Sequence, residues 1–135
     1  MPGSTEDAAP RVDVLTPIHK AIRAMTYDCA GALQSADFAD AAEAGRTLER
    51  LERTLATVED HRDHEDSILF PAMADREAEL IDDLMAEHAE VGRLIQGVSA
   101  TIDDVRNAGD PTARAQCGDE LTRRFNTVAA SYLGH

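Results

Sequence analysis

A group of histidines and acids in this chain has the spacing of a metal-binding site. The segment at residues 61–71, HRDHEDSILFP, holds His61 and Glu65 four residues apart, so a helix would place both side chains on one face. Imidazole and carboxylate groups bind iron, zinc, manganese or copper, and spacing alone does not choose among these metals. A site of this kind needs further ligands from other parts of the chain.

The composition predicts that helices carry these ligands. Apolar residues make up 43% of the chain and aromatic residues only 4%, and Ala and Leu recur where a β protein would need β-branched and aromatic runs. We predict a disordered tail over residues 1–11 and one domain over residues 12–135. The predicted helices, with approximate bounds, are A (about Asp13–Gln34), B (about Phe38–Phe70), C (about Glu77–Arg106) and D (about Thr112 to the end).

Proline and acidic residues mark the ends of the predicted helices. Pro71 is expected to end helix B, because proline disfavours helical geometry in the residue before it. Asp110 or Thr112 is the expected cap of helix D. Four helices joined by short turns predict an all-α, up-down-up-down four-helix bundle.

Each predicted helix has an apolar stripe that includes a histidine. The stripe of helix C steps by alternating threes and fours, and its polar member is His88. Helix A contributes His19, and helix D ends on His135. The stripe of helix B contains His61 and Glu65 and continues to the apolar residues that follow them, beginning with Ile68. A buried carboxylate without a partner costs several kcal/mol, so Glu65 needs a cation.

The four histidines are expected to meet in one layer of the bundle. At a rise of 1.5 Å per residue, the levels of His19, His61 and His88 agree within about two turns. His135 joins them if helix D returns from the far end. A single histidine on an apolar face is more often a core residue, but four of them with an inward glutamate favour a metal site. Ligands spread over four helices favour a two-metal cluster over one tetrahedral zinc.

Neighbouring polar residues are predicted to lie outside the ligand set. His64 is expected at the edge of the stripe, either supporting a ligand or facing solvent. Asp63 and Asp66 are assigned to the solvated face. Tyr132, one turn before His135, is predicted to pack in the core, with a role as ligand or hydrogen-bond donor as the alternative.

Charge and cysteine content restrict the partners and the compartment. The 13 Lys and Arg against 26 Asp and Glu give a net charge of −13, so nucleic acid and anionic membranes should repel the chain. The sequence contains neither a signal peptide nor a long apolar run, and we expect a cytoplasmic protein. Cys29 and Cys117 fall on apolar stripes and are predicted to be buried reduced thiols.

These motifs resemble those of the hemerythrin-like (HHE cation-binding) domains. The resemblance runs from about residue 13 to the end and rests on His61-x-x-x-Glu65-x-x-x-Leu69-Phe70-Pro71, with His19 upstream and Glu87-His88 downstream. It implies a four-helix bundle with two non-haem irons, bridged by carboxylates and an oxo or hydroxo group. The implied metal ligands are His19, His61, Glu65, His88 and His135, with Glu65 as a bridging carboxylate.

The sequence departs from the family pattern at its C-terminal end. The closing motif of the family has an acid four residues after the histidine that matches His135, and the sequence ends at that histidine. Helix D is therefore expected to end about two turns short. Either the sequence is a fragment of a longer protein, which is the interpretation we favour, or its iron site is incomplete and under-occupied. The oligomeric state stays open, with self-association at the truncated end as one expectation.

The resemblance leaves two principal classes of function. The first is a binding protein that carries, stores or senses dioxygen, which a histidine-rich iron site favours over committed oxidation. The alternative is a di-iron enzyme acting on hydrogen peroxide or nitric oxide, which needs proton delivery by a group such as His64 or Tyr132. A metal-free helical interaction protein is a third class. No catalytic residue is assigned.

Overall fold

The chain folds as a bundle of long helices. The structure, a computed structural model, describes residues 15–75 and 78–133, and within these ranges it contains no β-strand. The helices are α1 (Leu15–Ser35), α2 (Ala41–His64), α3 (Phe70–Met73), α4 (Ala78–Asn107) and α5 (Pro111–Leu133). Helices α1 and α4 each pack against both α2 and α5. The predicted all-α four-helix bundle is confirmed, with α3 a short continuation of the second long helix.

Some predictions fall on residues that the structure does not describe. The tail at residues 1–11 lies outside the described residues, as do the predicted first residues of helices A and C, Asp13 and Glu77. The same holds for His135, so its place in the bundle stays a prediction.

Helix α2 begins at Ala41 and not at Phe38, because Asp40 is its cap. The Oδ1 atom of Asp40 accepts hydrogen bonds from the backbone N–H groups of Ala42 at 2.9 Å and Glu43 at 3.2 Å. These bonds satisfy amide groups that have no partner within the first turn of the helix. The prediction that helix B starts at Phe38 is therefore wrong by three residues.

The loop before α2 is held against α5. Phe38 is buried in this loop, and a Cβ added at Gly118 of α5 would overlap its ring. Arg114 of α5 donates a hydrogen bond to the carbonyl of Ala39 at 2.9 Å. The cap of α5 is Asp110, whose carboxylate accepts from the Ala113 N–H at 2.7 Å, which confirms one of the two predicted caps.

The second long helix does not end at Pro71. A π-helical turn, Glu65–Leu69, follows α2 directly, and the Phe70 N–H bonds to the carbonyl of Glu65. Pro71 lies at the start of α3, where the missing N–H of proline costs nothing. The prediction that Pro71 ends the helix at Phe70 is wrong, because the wide turn had already interrupted the α-helical hydrogen bonds.

The π turn also changes which side chains face inward. It lengthens the span of the backbone hydrogen bond from four residues to five and so inserts an extra residue into the turn. The next buried residue after Glu65 is therefore Phe70, while Ile68 is 59% exposed. The prediction that Ile68 lies on the buried stripe is wrong for this reason.

The apolar core follows the other predicted stripes. Its largest fully buried side chains include Leu33 of α1, Leu51 of α2, Ile95 of α4 and Phe125 of α5. Cys29 is a buried free thiol, and burial raises its pKa, whereas Cys117 is only half-buried. In the described part of the chain, none of the helices combines the length and the apolar character that crossing a membrane requires.

Candidate metal centre

The fold brings four of the predicted ligands to one end of the bundle. His19 lies near the start of α1, His61 near the end of α2, and Glu65 is the first residue of the π turn. His88 comes from the first half of α4. Because neighbouring helices run in opposite directions, these positions share one level of the bundle.

Three of these side chains converge closely. The Nε2 atom of His61 lies 2.8 Å from Nε2 of His19 and 2.9 Å from Oε1 of Glu65. Ligand atoms of His19, His61 and Glu65 all lie within 4.8 Å of one another. His88 is outside this close group, but its Nε2 atom is 3.7 Å from the same oxygen of Glu65. Three histidine nitrogens therefore lie within 4.0 Å of one carboxylate oxygen of Glu65.

The chemistry of these atoms fits a cation. A neutral imidazole nitrogen carries either a hydrogen or a lone pair, so Nε2 of His61 cannot donate to Glu65 and also accept from His19. A metal ion between the three atoms accepts all their lone pairs. Ligand atoms that share one ion at about 2.0 to 2.2 Å lie roughly 3 to 3.5 Å apart, so small side-chain movements would admit an ion.

Burial favours the unprotonated form of His61. The side chains of His61, Glu65 and His88 are 5 to 8% exposed, whereas that of His19 is 31% exposed. Burial lowers the pKa of His61, and the nearby histidines lower it further against the opposing effect of Glu65. A lowered pKa favours the unprotonated imidazole, which is the form that binds metals. The centre is reached from solvent on the side of His19.

Asp66 occupies a different place from the one predicted. It was assigned to the solvated face, but its Oδ1 atom lies 2.9 Å from Nδ1 of His88, and its side chain is 36% exposed. That assignment is wrong, because Asp66 reaches from the π turn to α4. Sequence reasoning had one available signal, since a histidine ligand usually bonds a carboxylate or carbonyl through its other nitrogen.

The other polar neighbours agree better with prediction. Asp63 and His64 are exposed. Tyr132 is half-buried and packs against the core, as predicted, and burial together with the charge of Glu65 raises its pKa to about 12. The ring of Phe70 lies 5.1 Å from the ring of His88, which it covers at an interplanar angle of 40°.

A comparison with known proteins identifies the family of the chain. The family model of the hemerythrin HHE cation-binding domain matches residues 11–131, which is most of the chain. Neither a curated protein nor a solved structure matches the chain. The matched region contains His19, His61, Glu65 and His88, the residues that the bundle brings together. The chain therefore belongs to the hemerythrin HHE cation-binding domain family.

Proposed function

We propose that this chain is a non-haem di-iron binding protein that binds dioxygen as a carrier, store or sensor. The observation that carries the proposal is the meeting of three imidazoles and one carboxylate at a single end of the bundle. The Nε2 atoms of His19, His61 and His88 lie 4.0, 2.9 and 3.7 Å from Oε1 of Glu65. This arrangement suits a carboxylate that bridges two cations, with His135 as a further proposed ligand.

The composition of the site favours reversible binding. Three neutral imidazoles and one carboxylate stabilise ferric iron less than a carboxylate-rich site would, so the oxidised state is less favoured. Iron, when bound here, supplies the redox-active centre at which dioxygen binds. The exposed face of His19 leaves a route by which a small molecule reaches the centre.

The alternative is an enzyme that acts on hydrogen peroxide or nitric oxide, and it needs a group that exchanges protons near neutral pH. His64 faces solvent. Tyr132, with a pKa of about 12, retains its proton at neutral pH. Both observations favour binding over turnover.

The test is an optical experiment on protein loaded with iron(II) under argon. Addition of dioxygen should produce a charge-transfer band that disappears under vacuum and returns over repeated cycles. The variant Glu65→Gln should show no such band, and Glu49→Gln, an exposed change on the same helix, should behave as wild type. Steady oxygen release from hydrogen peroxide, or steady consumption of nitric oxide, over many turnovers per iron would contradict the binding function and support the enzyme.

A further inference from the structure

We propose that Asp66 is a positioning residue, which fixes the ring of His88 so that Nε2 presents its lone pair to the metal centre. The proposal rests on the proposed function, in which His88 is a metal ligand. It assigns a role to a carboxylate that lies beside the converging ligand group and not within it.

The two nitrogens of His88 face two different carboxylates. Nδ1 lies 2.9 Å from Oδ1 of Asp66, and Nε2 lies 3.7 Å from Oε1 of Glu65. An ionised carboxylate only accepts hydrogen bonds, so the contact with Asp66 places the ring hydrogen on Nδ1. In a neutral imidazole this leaves the lone pair on Nε2, the atom directed at the centre.

Arg62 fixes the backbone of the same histidine. Its Nη1 atom donates a hydrogen bond to the carbonyl of His88 at 3.1 Å. The guanidinium group lies over Gly92 of α4, and a Cβ added at that glycine would overlap it. Arg62 and Asp66 are four residues apart, so the second long helix contacts His88 through both its main chain and its ring.

The position of Asp66 distinguishes a role in positioning His88 from direct metal binding. Its carboxylate meets the opposite edge of the imidazole from Glu65, so the ring of His88 stands between the two acids. A carboxylate in this place orients the histidine and raises the basicity of the nitrogen that binds the metal. Removal of Asp66 should therefore weaken metal binding without removing a ligand.

The test compares wild type with Asp66→Ala and Asp66→Asn, and uses Asp63→Ala as the matched control because Asp63 is exposed on the same helix. The first measurement is nitrogen NMR of histidine-labelled, metal-free protein at alkaline pH, where the rings are neutral. His88 should carry its hydrogen on Nδ1 in wild type and control, and mainly on Nε2 in Asp66→Ala. Asp66→Asn keeps the shape of the side chain. It is the variant to compare with wild type if Asp66→Ala has a lower melting temperature.

The second measurement is the affinity for cobalt(II), followed by its visible absorption. Both Asp66 variants should bind cobalt(II) about 10 to 100 times more weakly than wild type, with the shape of the spectrum unchanged. An unchanged tautomer of His88 in Asp66→Ala, or a changed ligand-field spectrum, would overturn the positioning role. A wild-type protein without affinity for cobalt(II) would instead contradict the proposed function, whereas the NMR result by itself decides whether Asp66 fixes the ring.

Discussion

The two ends of the bundle differ in their inward side chains. One end holds the loops 36–40 and 108–110, and its inward side chains are mainly apolar. The inward side chains at the opposite end include His61, Glu65 and His88. We call these the loop end and the metal end. Near the loop end, the buried hydroxyl of Thr101 bonds within its own helix, to the carbonyl of Gly97 at 2.9 Å. At the metal end, polar groups also make contacts between helices, as His61 does with His19 and His88 with Asp66.

Because of this difference, stability and metal binding depend on different groups of residues. The loop end needs only apolar burial and caps such as Asp40, so it can fold without a ligand. The metal end places a carboxylate among imidazoles and departs from α-helical geometry in the π turn. We infer that apolar burial supplies the folding free energy that keeps the metal ligands assembled. Variants of the apolar core and variants of the metal ligands should therefore affect different properties.

The largest expected effect on stability is in the apolar core. Phe125 is 1% exposed, and Phe125→Ala should lower the free energy of unfolding of the metal-free protein by about 3 to 5 kcal/mol, because it leaves a cavity. Urea unfolding measures this change. The exposed neighbour Asn126→Ala should stay within about 0.5 kcal/mol of wild type. A loss below about 1 kcal/mol in Phe125→Ala would show that the apolar core does not dominate stability.

The second prediction concerns Glu65 at the metal end, where we expect no loss of stability but a large loss of metal affinity. Glu65→Leu should leave the stability of the metal-free protein unchanged or raise it, since it replaces a buried charge with an apolar group. The same change should weaken iron(II) binding by more than about tenfold, or about 1.4 kcal/mol. Glu49→Leu, at an exposed position of α2, serves as the control in both assays. Equal iron affinity in wild type and Glu65→Leu would rule out Glu65 as a ligand.

A comparison of the stability of two variants, at Ile68 and Phe70, tests the π turn. Ile68→Glu should change the free energy of unfolding by no more than about 0.5 kcal/mol, because the π turn turns Ile68 towards solvent. Phe70→Ala, at the position that the turn buries, should cost about 3 to 5 kcal/mol. Thermal or urea unfolding of the two variants compares them. A loss of several kcal/mol in Ile68→Glu would mean that the helix continues with α-helical spacing.

The smallest predicted effect is on the ionisation of Tyr132. With the other tyrosine removed by Tyr27→Phe, absorbance near 295 nm should report a pKa of about 12, caused first by burial and then by the charge of Glu65. Glu65→Gln should lower this pKa. A pKa that is raised in the folded state means that stability from this group is complete below its unfolded value of about 10 and is lost as pH rises towards 12. An identical titration curve in Glu65→Gln would contradict this coupling.

The features that local sequence determines were predictable. The apolar stripes needed only the helical repeat, and the cap at Asp110 needed only the capping preference of aspartate. The meeting of His19, His61 and His88 followed from their levels in an antiparallel bundle, because short turns fix the order of neighbouring helices.

The features that neither the regular helical repeat nor the capping preferences determine were missed. The π turn contains hydrogen bonds that span five residues, such as that from the Phe70 N–H to the carbonyl of Glu65, and no pattern of residue types predicts it. The exposure of Ile68 and the continuation through Pro71 follow from that turn. The contact between Asp66 and His88 joins residues 22 positions apart on different helices, so it appeared only when the helices were assembled.

The central claim is that the histidines at the metal end bind a metal ion and are not merely core residues, and His61 tests it most directly. Iron(II) affinity, measured under argon against a competing chelator, should fall by about tenfold or more in His61→Ala. His64→Ala removes an exposed imidazole from the same helix and should bind iron(II) as wild type does. Equal affinity in wild type and His61→Ala, or an equal loss in His64→Ala, would contradict the assignment.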